Sequence, residues 1–349
     1  MDSLAVKYRP NNFADVVGQT TIIEILKQQI TTGVISNCYL FAGPTGTGKT
    51  TLARIFANGI NGGYGNPIEI DAASNNGVDN IRRIISESKE RSLDADYKVY
   101  IIDEVHMITK EGWNAFLKTL EEPSPYTIFI LCTTDPQKVP ATILNRVMRF
   151  NLSKLSYSAI TDRLEYICQQ EGFTNYDSAC EYISKLSLGG LRDAIATLEK
   201  CASYSKDLKM TNIYQVLGNC SYKTYFALTN ALVDKDEDAI IRLMANVTSS
   251  NTDVKTFVDQ YLDAVLDLTK YCLIKNLFIT KIPAYLEEER DTAGKLLPLC
   301  VKYVVGFDGA VETFNKITDA LLDLKFYLKY DTTPATTVLA YLIKLCRSI

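Results

Sequence analysis

Cys38-Tyr39-Leu40-Phe41-Ala42-Gly43-Pro44-Thr45-Gly46-Thr47-Gly48-Lys49-Thr50-Thr51 is the stretch that decides the fold. An apolar run suited to a buried strand stops at a glycine, crosses a loop and enters a helical pattern, and Gly43 to Thr50 match G-x-x-x-x-G-K-[ST] in the context that motif requires. Such a loop turns backbone N–H groups toward phosphate oxygens, and the helix behind it adds partial positive charge at its N-terminus. Lys49 is expected to pair with the β- and γ-phosphates of a nucleotide and the Thr50 hydroxyl to ligate Mg²⁺. Pro44, Thr45, Gly46, Thr47, Gly48 and Thr51 complete the candidate set.

Outward from this unit the same alternation continues. Short apolar runs at Ile68–Ile70, Val99–Asp103, Thr127–Thr133 and Val147–Leu152 read as further buried strands. Helical patterns fall at Thr20–Thr31, Lys49–Asn58, Val78–Lys89, Lys110–Glu121 and Pro140–Asn145. Strands alternating with helices predict a parallel five-stranded sheet with helices on both faces. After Leu152 the strand signal fades. A helical stretch broken by Gly172 and Gly189-Gly190 follows, and then a longer helical region. In that region Val254–Leu273 and Ala310–Leu328 carry apolar spacings of three and four, and Pro283 and Pro298 mark loops or helix starts. The expected division is 1–154 for the α/β core, 155–218 for a helical lid and 219–349 for an all-α domain.

Composition narrows the function classes. With 349 residues, 47% hydrophobic and 22% charged, the chain has the make-up of a folded soluble protein of two or three domains. No apolar run is long enough for a membrane span, and the N-terminus lacks a secretory pattern, so a cytoplasmic location is expected. The nine cysteines form no C-x-x-C pair and only one histidine is present. No zinc site is expected, and the thiols read as reduced core-filling groups. A net charge of −4 excludes coating of DNA by bulk charge, so any DNA contact must come from a local cluster of basic residues pooled across subunits.

The second chemical signal is Lys98-Val99-Tyr100-Ile101-Ile102-Asp103-Glu104-Val105-His106, a buried strand ending in adjacent carboxylates. On a strand tip of the same sheet, Asp103 can hold Mg²⁺, usually through water, and Glu104 can polarise the water that attacks a γ-phosphate. His106 reads either as a packing residue beside the strand or as a relay between the nucleotide and other elements.

At these residues the chain resembles a known family. Lys7-Tyr8-Arg9-Pro10 with Phe13-Ala14-Asp15-Val16-Val17-Gly18-Gln19, the run Asp103 to Met107, and Lys118-Thr119-Leu120-Glu121-Glu122-Pro123 look like the AAA+ ATPases of sliding-clamp loaders. So does Thr133-Thr134-Asp135-Pro136-Gln137-Lys138-Val139-Pro140 followed by Ile143-Leu144-Asn145-Arg146. The pattern is similar to the bacterial DNA polymerase III gamma/tau subunit and, more distantly, to replication factor C small subunits and phage clamp-loader large subunits. It covers residues 4–200; beyond 220 only length and helicity agree.

The resemblance implies an AAA+ core, a lid, and a collar that joins subunits in a ring or spiral, pentameric by analogy. The cofactors would be ATP and Mg²⁺, and the partners a sliding clamp, primed template DNA and further loader subunits. Tyr8, Arg9, Pro10, Val17 and Gly18 would flank the adenine. Thr134, or else Thr133, would be the polar sensor at the γ-phosphate. Arg146 would be the arginine finger reaching the neighbouring subunit's ATP, although the family's Ser-Arg-Cys reads Asn145-Arg146-Val147 here. Arg192, in Gly189-Gly190-Leu191-Arg192-Asp193-Ala194, would be the second sensor. Arg82, with Asn76 and Lys110, would track the DNA backbone; Arg82 and Arg83 read equally well as a solvated helix face. Leu93 would be a clamp contact or part of a surface loop.

Two departures stand out. Where bacterial gamma/tau chains carry a four-cysteine zinc module, this chain has only Asn58-Gly59-Ile60-Asn61-Gly62-Gly63-Tyr64-Gly65-Asn66. The sequence also stops near 349, without a long tau-like tail. A minimal loader, of phage origin, is the expectation these raise. The competing readings are another AAA+ motor, such as a branch-migration helicase or helicase loader, and a catalytically silent structural subunit.

Overall fold

The computed structural model describes residues 3–249, 252–273 and 309–349. Pro283, Pro298 and Cys300 lie outside the described residues. The chain divides into two compact units: residues 1–167 with 183–199, and residues 168–182 with 200–349.

The first unit is built on five parallel strands: β1 (Cys38–Ala42), β2 (Ile68–Asp71), β3 (Lys98–Asp103), β4 (Thr127–Thr133) and β5 (Met148–Asn151). Their order is β2-β3-β4-β1-β5, so β1 and β4 lie side by side, with Ala42 opposite Thr133. Each central strand presents apolar side chains to both faces, which is why the runs read as unbroken rather than alternating. Tyr39, Phe41, Ile101 and Ile130 pack with Leu52 and Phe56 of α3 (Lys49–Ile60) and with Ile23 and Leu26 of α2 (Thr20–Thr32). Leu40, Tyr100, Ile102, Phe129 and Leu131 pack on the other face with Ile81 and Ile84 of α4 (Val78–Glu87) and Trp113 and Phe116 of α5 (Lys110–Glu121). A short helix α6 (Ala141–Leu144) precedes β5, and α1 (Leu4–Lys7) anchors the N-terminus through buried Leu4. The predicted parallel sheet covered on both faces is therefore present.

Phe129 sits at the centre of the second face. Its ring meets Phe116 edge-on at 4.9 Å and stacks on Tyr100 at 5.4 Å. Phe129→Ala removes a fully buried ring and is expected to destabilise this unit by about 3–5 kcal/mol. The check is a urea unfolding titration; a loss below about 1 kcal/mol would mean this layer is not the core.

Beyond β5, α7 (Tyr157–Glu171) ends at Gly172 with φ +69°, and α8 (Asp177–Leu186) is followed by Gly189 with φ +92°. Helix α9 (Leu191–Tyr204) begins in the first unit. The second unit is helical among its described residues: α10 (Met210–Leu217), α11 (Tyr222–Val233), α12 (Glu237–Ser249), α13 (Val254–Leu273), α14 (Ala310–Leu328) and α15 (Pro334–Ser348). Helices α13 and α14 pack along one another, and α15 contacts α11, α12, α13 and α14. Phe257, Tyr261, Phe314, Leu321 and Leu342 fill the space between them. Arg347 forks onto Glu237 with bonds of 2.7 and 2.9 Å, tying α15 to the start of α12. No helix among the described residues is long and apolar enough to cross a membrane.

Candidate functional site

The site lies at the carboxyl ends of β1, β3 and β4, where an open α/β sheet leaves its crevice. The loop after β1 needs glycine at two points. Gly46 and Gly48 take φ +75° and +96°, and a side chain at Gly46 would also press on the Gly190 backbone at 3.1 Å. Gly43 N–H donates to Thr133 O at 3.1 Å, which pins the start of the loop to the tip of β4. Leu191 N–H donates to Gly46 O at 3.1 Å, which brings the start of α9 onto the loop.

A cleft within the first unit is lined by Tyr8, Arg9, Pro10, Val16, Val17, the loop residues Thr45 through Thr51, Asp103, Glu104, Leu155, Leu191, Arg192 and Ile195. The lining combines apolar side chains with the loop and the charged groups Arg9, Lys49, Asp103, Glu104 and Arg192, as suits a base joined to phosphates. Gly18, Gly43 and Pro44, expected in the site, do not line it; Gly18 packs against Leu155, where a Cβ would approach within 2.7 Å. Leu155, Leu191 and Ile195 were not legible as pocket residues. Nor were two hydrogen-bond locks beside the lining. Gln19 Nε2 donates to Ser153 O at 2.8 Å, and Arg163 Nη2 donates to Tyr8 O at 3.0 Å.

Several of the charged and polar groups named from the sequence come together at the loop. Lys49 is buried at 7% exposure, and its Nζ donates to Gly43 O at 2.9 Å and Pro44 O at 3.0 Å. Burial pulls its ammonium below the usual lysine range, against the opposing pull of Glu104, Cys132 and Asp103. Arg9 is likewise lowered, by burial first and then by the charges of Arg54 and Arg192. Arginines that disfavour one another's charge beside a cleft make it receptive to an anion. Thr50 Oγ1 donates to Asp103 Oδ2 at 2.6 Å, placing a hydroxyl and a carboxylate oxygen side by side under the loop.

Glu104 leaves β3 in the left-handed region, φ 47° and ψ 43°, costly for a residue with a side chain and a conformation that clusters at functional sites. Its Oε2 accepts from Thr134 Oγ1 at 3.0 Å and lies 3.2 Å from His106 Nδ1. Thr133 is fully buried, and its Oγ1 is hydrogen-bonded with His106 Nδ1 at 3.2 Å. Of the two threonines weighed as the polar sensor, Thr134 is the one that touches the carboxylate.

Other expected residues lie away from the cleft. Arg146 does not line it; its Nη2 donates to Glu121 Oε1 at 2.8 Å and its Nη1 to Thr142 O at 2.7 Å. Arg82 and Arg83 sit on the exposed side of α4 and pair with Asp79 at 3.3 Å and Glu87 at 3.8 Å. Such exposed pairs hold weakly, about 0.3–0.5 kcal/mol, and give way readily to a phosphate. Asn76 O accepts from Thr109 N–H at 3.3 Å, joining the N-terminal ends of α4 and α5; Lys110 opens α5 and Arg82 stands mid-way along α4. Leu93 is 99% exposed on the loop before β3. Across from it, Asn61 closes the Gly/Asn-rich turn by exchanging bonds with the Tyr97 backbone at 2.9 and 3.0 Å.

Comparison with known proteins bears on the family and the fold. Residues 63–156 match the family model described as DNA polymerase III, delta subunit. The DNA polymerase III subunit tau of Bacillus subtilis is 36% identical over 286 residues, covering 76% of this chain and 51% of that protein. The Escherichia coli subunit tau is 35% identical, covering 69% of this chain and 41% of that protein. The DNA polymerase III subunit gamma of Buchnera aphidicola subsp. Schizaphis graminum is 34% identical over 267 residues, covering 70% of this chain and 74% of that protein. The chain thus spans about half the length of the tau relatives, 51% and 41% for the two named. Among solved structures, the Thermotoga maritima RuvB Holliday junction branch migration motor shares the fold, with a TM-score of 0.52 at 20% identity over 60% of this chain and 72% of that one.

Proposed function

Because the chain belongs to the family of bacterial DNA polymerase III gamma and tau subunits, we propose that it is a clamp-loader ATPase. It binds ATP in the cleft of the first unit and uses binding and hydrolysis to open a sliding clamp and place it on primed template DNA. The observation that carries this reading is the meeting of Thr50, Asp103, Glu104 and Thr134 beneath the phosphate loop, with bonds of 2.6 Å between Thr50 and Asp103 and 3.0 Å between Thr134 and Glu104. A silent structural subunit has no use for that constellation.

In this reading the adenine lies against Tyr8, Pro10, Val17 and Leu155. The triphosphate runs along the backbone N–H groups of Gly46 to Thr50 toward Lys49, and Arg192 meets the terminal phosphate. The neighbouring oxygens of Thr50 and Asp103 are hard donors that suit Mg²⁺. When bound, that ion neutralises phosphate charge. Glu104 takes a proton from the attacking water, and Thr134 holds Glu104 in place. Phosphoryl transfer needs little more from a protein than such positioning and charge. Arg146, turned away from its own cleft, completes the site of a neighbouring subunit.

The division into core, lid and collar belongs to the same proposal, with the helical second unit supplying the collar. Leu322, Phe326 and Tyr330 recur along and just past α14 at 51%, 71% and 80% exposure, a stripe that supports subunit contacts in a ring or spiral. DNA is met as backbone by Arg82, Lys110 and Asn76 of several subunits, so binding should fall steeply with salt. The protein acts in the cytoplasm.

Two measurements test the reading. Glu104→Gln should leave ATP affinity within about twofold and lower hydrolysis about 100-fold or more, the usual worth of a positioned base; hydrolysis near the wild-type rate would remove Glu104 from the chemistry. Clamp with primed DNA should stimulate ATPase where forked or four-way DNA does not; the reverse pattern would favour a branch-migration motor.

A further inference from the structure

We infer that His106 is a positioning residue for Glu104: with Thr134 it fixes one oxygen of the carboxylate, so that the other faces the attacking water. The inference rests on the assignment of Glu104 as the proton acceptor.

The geometry is specific. His106 lies on the single turn Val105–Met107 that follows Glu104, and Met107 N–H donates to Glu104 O at 2.9 Å, closing that turn on the glutamate itself. Val105 is fully buried and anchors the turn under the sheet. The imidazole is held at 13% side-chain exposure, with Nδ1 at 3.2 Å from both Glu104 Oε2 and Thr133 Oγ1. Thr133 Oγ1 also accepts from Asp135 N–H at 3.0 Å, so its orientation is set from the loop beyond β4.

A carboxylate only accepts hydrogen bonds, so the ring nitrogen facing it must carry the proton. In the Nδ1–H tautomer the hydrogen bond runs to Thr133 Oγ1 at 3.2 Å, and the same N–H faces Glu104 Oε2 at 3.2 Å as an electrostatic contact. Thr134 Oγ1 donates to the same Oε2 at 3.0 Å. The hydrogen bond from Thr134 and the close contact from His106 both fall on Oε2, and neither takes Oε1. Glu104 N–H in turn donates to Asp103 Oδ1 at 2.9 Å, which sets the backbone from which the side chain springs.

The chemical consequence follows. Water forms its oxygen–phosphorus bond as the bond from phosphorus to the β–γ bridging oxygen breaks, the electron pair leaves on ADP, and the water proton passes to Oε1. A carboxylate free to rotate would offer Oε1 in that direction only part of the time. The Thr134 hydrogen bond and the facing imidazole N–H on Oε2 restrict the rotation before substrate arrives, which acts on the chemical step and not on ATP affinity. A histidine that merely packed beside the strand would influence neither.

The test uses the assembled protein with clamp and primed DNA, and compares His106→Asn with His106→Gln. The Asn side-chain amide places an N–H where Nδ1–H stands, while Gln places its N–H near the far ring nitrogen. Loss of the N–H that faces the carboxylate should lower kcat of His106→Gln about 10-fold, the equivalent of about 1.4 kcal/mol, at nearly constant KM for ATP. His106→Asn should return to within about threefold of wild type, and His106→Gln should add little in a Glu104→Gln background because both act on the same group. Equal activity of the Asn and Gln variants, either both high or both low with unchanged melting temperatures, overturns the inference. If Glu104→Gln itself hydrolyses ATP at the wild-type rate, the assignment of the proton acceptor fails first and the role of His106 falls with it.

Discussion

Lys49→Ala is expected to abolish ATP binding at working concentrations, with a loss of affinity of about 100-fold or more. The ammonium stands inside the loop, donating to Gly43 O and Pro44 O, at the only lysine among the residues lining the cleft. Its burial already disfavours its charge, so the site carries an unmet demand for an anion. A triphosphate meets that demand through at least two charge-assisted bonds, each worth about 1.5–3 kcal/mol. Binding titrations with a fluorescent ATP analogue would read the loss directly. Retained tight binding would remove the phosphate-loop assignment and with it the reading of the cleft.

Arg146→Ala should do the opposite to the two observables: nucleotide affinity stays nearly constant while hydrolysis by the assembled particle falls by about 10³–10⁵, the range measured for such fingers. The guanidinium is fixed by Glu121 and by the Thr142 carbonyl, with bonds of 2.8 and 2.7 Å. Arginine carries five N–H donors, so these two anchors leave others to reach outward. Asn145 and Val147, which replace the serine and cysteine of the related motif, take no part in either anchor. Unchanged hydrolysis would show that the finger lies elsewhere.

Much of the α/β core could be read from sequence because its central strands β1, β3 and β4 are buried on both faces, whereas the edge strands β2 and β5 are largely exposed. β1 and β4 stop where expected, at Ala42 before Gly43 and at Thr133, and α5 begins at Lys110 behind the capping hydroxyl of Thr109. The misses are small and local. β5 covers only Met148–Asn151, the residues that pair with Tyr39 to Ala42 of β1, not Val147–Leu152. Helix α3 runs on through Gly59 to Ile60, with Gly59 lying against the Ile30 side chain. Helix α6 starts at Ala141, with Pro140 as its cap. Helix α1 is a single turn, too short to carry a period.

The chemistry of the site was legible residue by residue, but its contacts were not. Lys49, Thr50, Asp103 and Glu104 announce themselves by type and spacing. The pairs Gln19–Ser153, Arg163–Tyr8, Glu121–Arg146 and His106–Glu104 are side-chain meetings that no periodicity encodes. They become visible only when the sheet brings the ends of β3 and β4 together and returns the chain to its own N-terminus.

The central claim is that one subunit grips the triphosphate and a neighbour supplies the cation that completes its hydrolysis. Mixing two inactive forms tests it most directly: Arg146→Ala, whose cleft is intact, and Glu104→Gln, whose arginine is intact. Assemblies containing both should regain a measurable share of the wild-type ATPase with clamp and primed DNA, because some clefts then meet an intact arginine from the next subunit. Mixed assemblies that form normally yet remain as inactive as either parent would contradict the account.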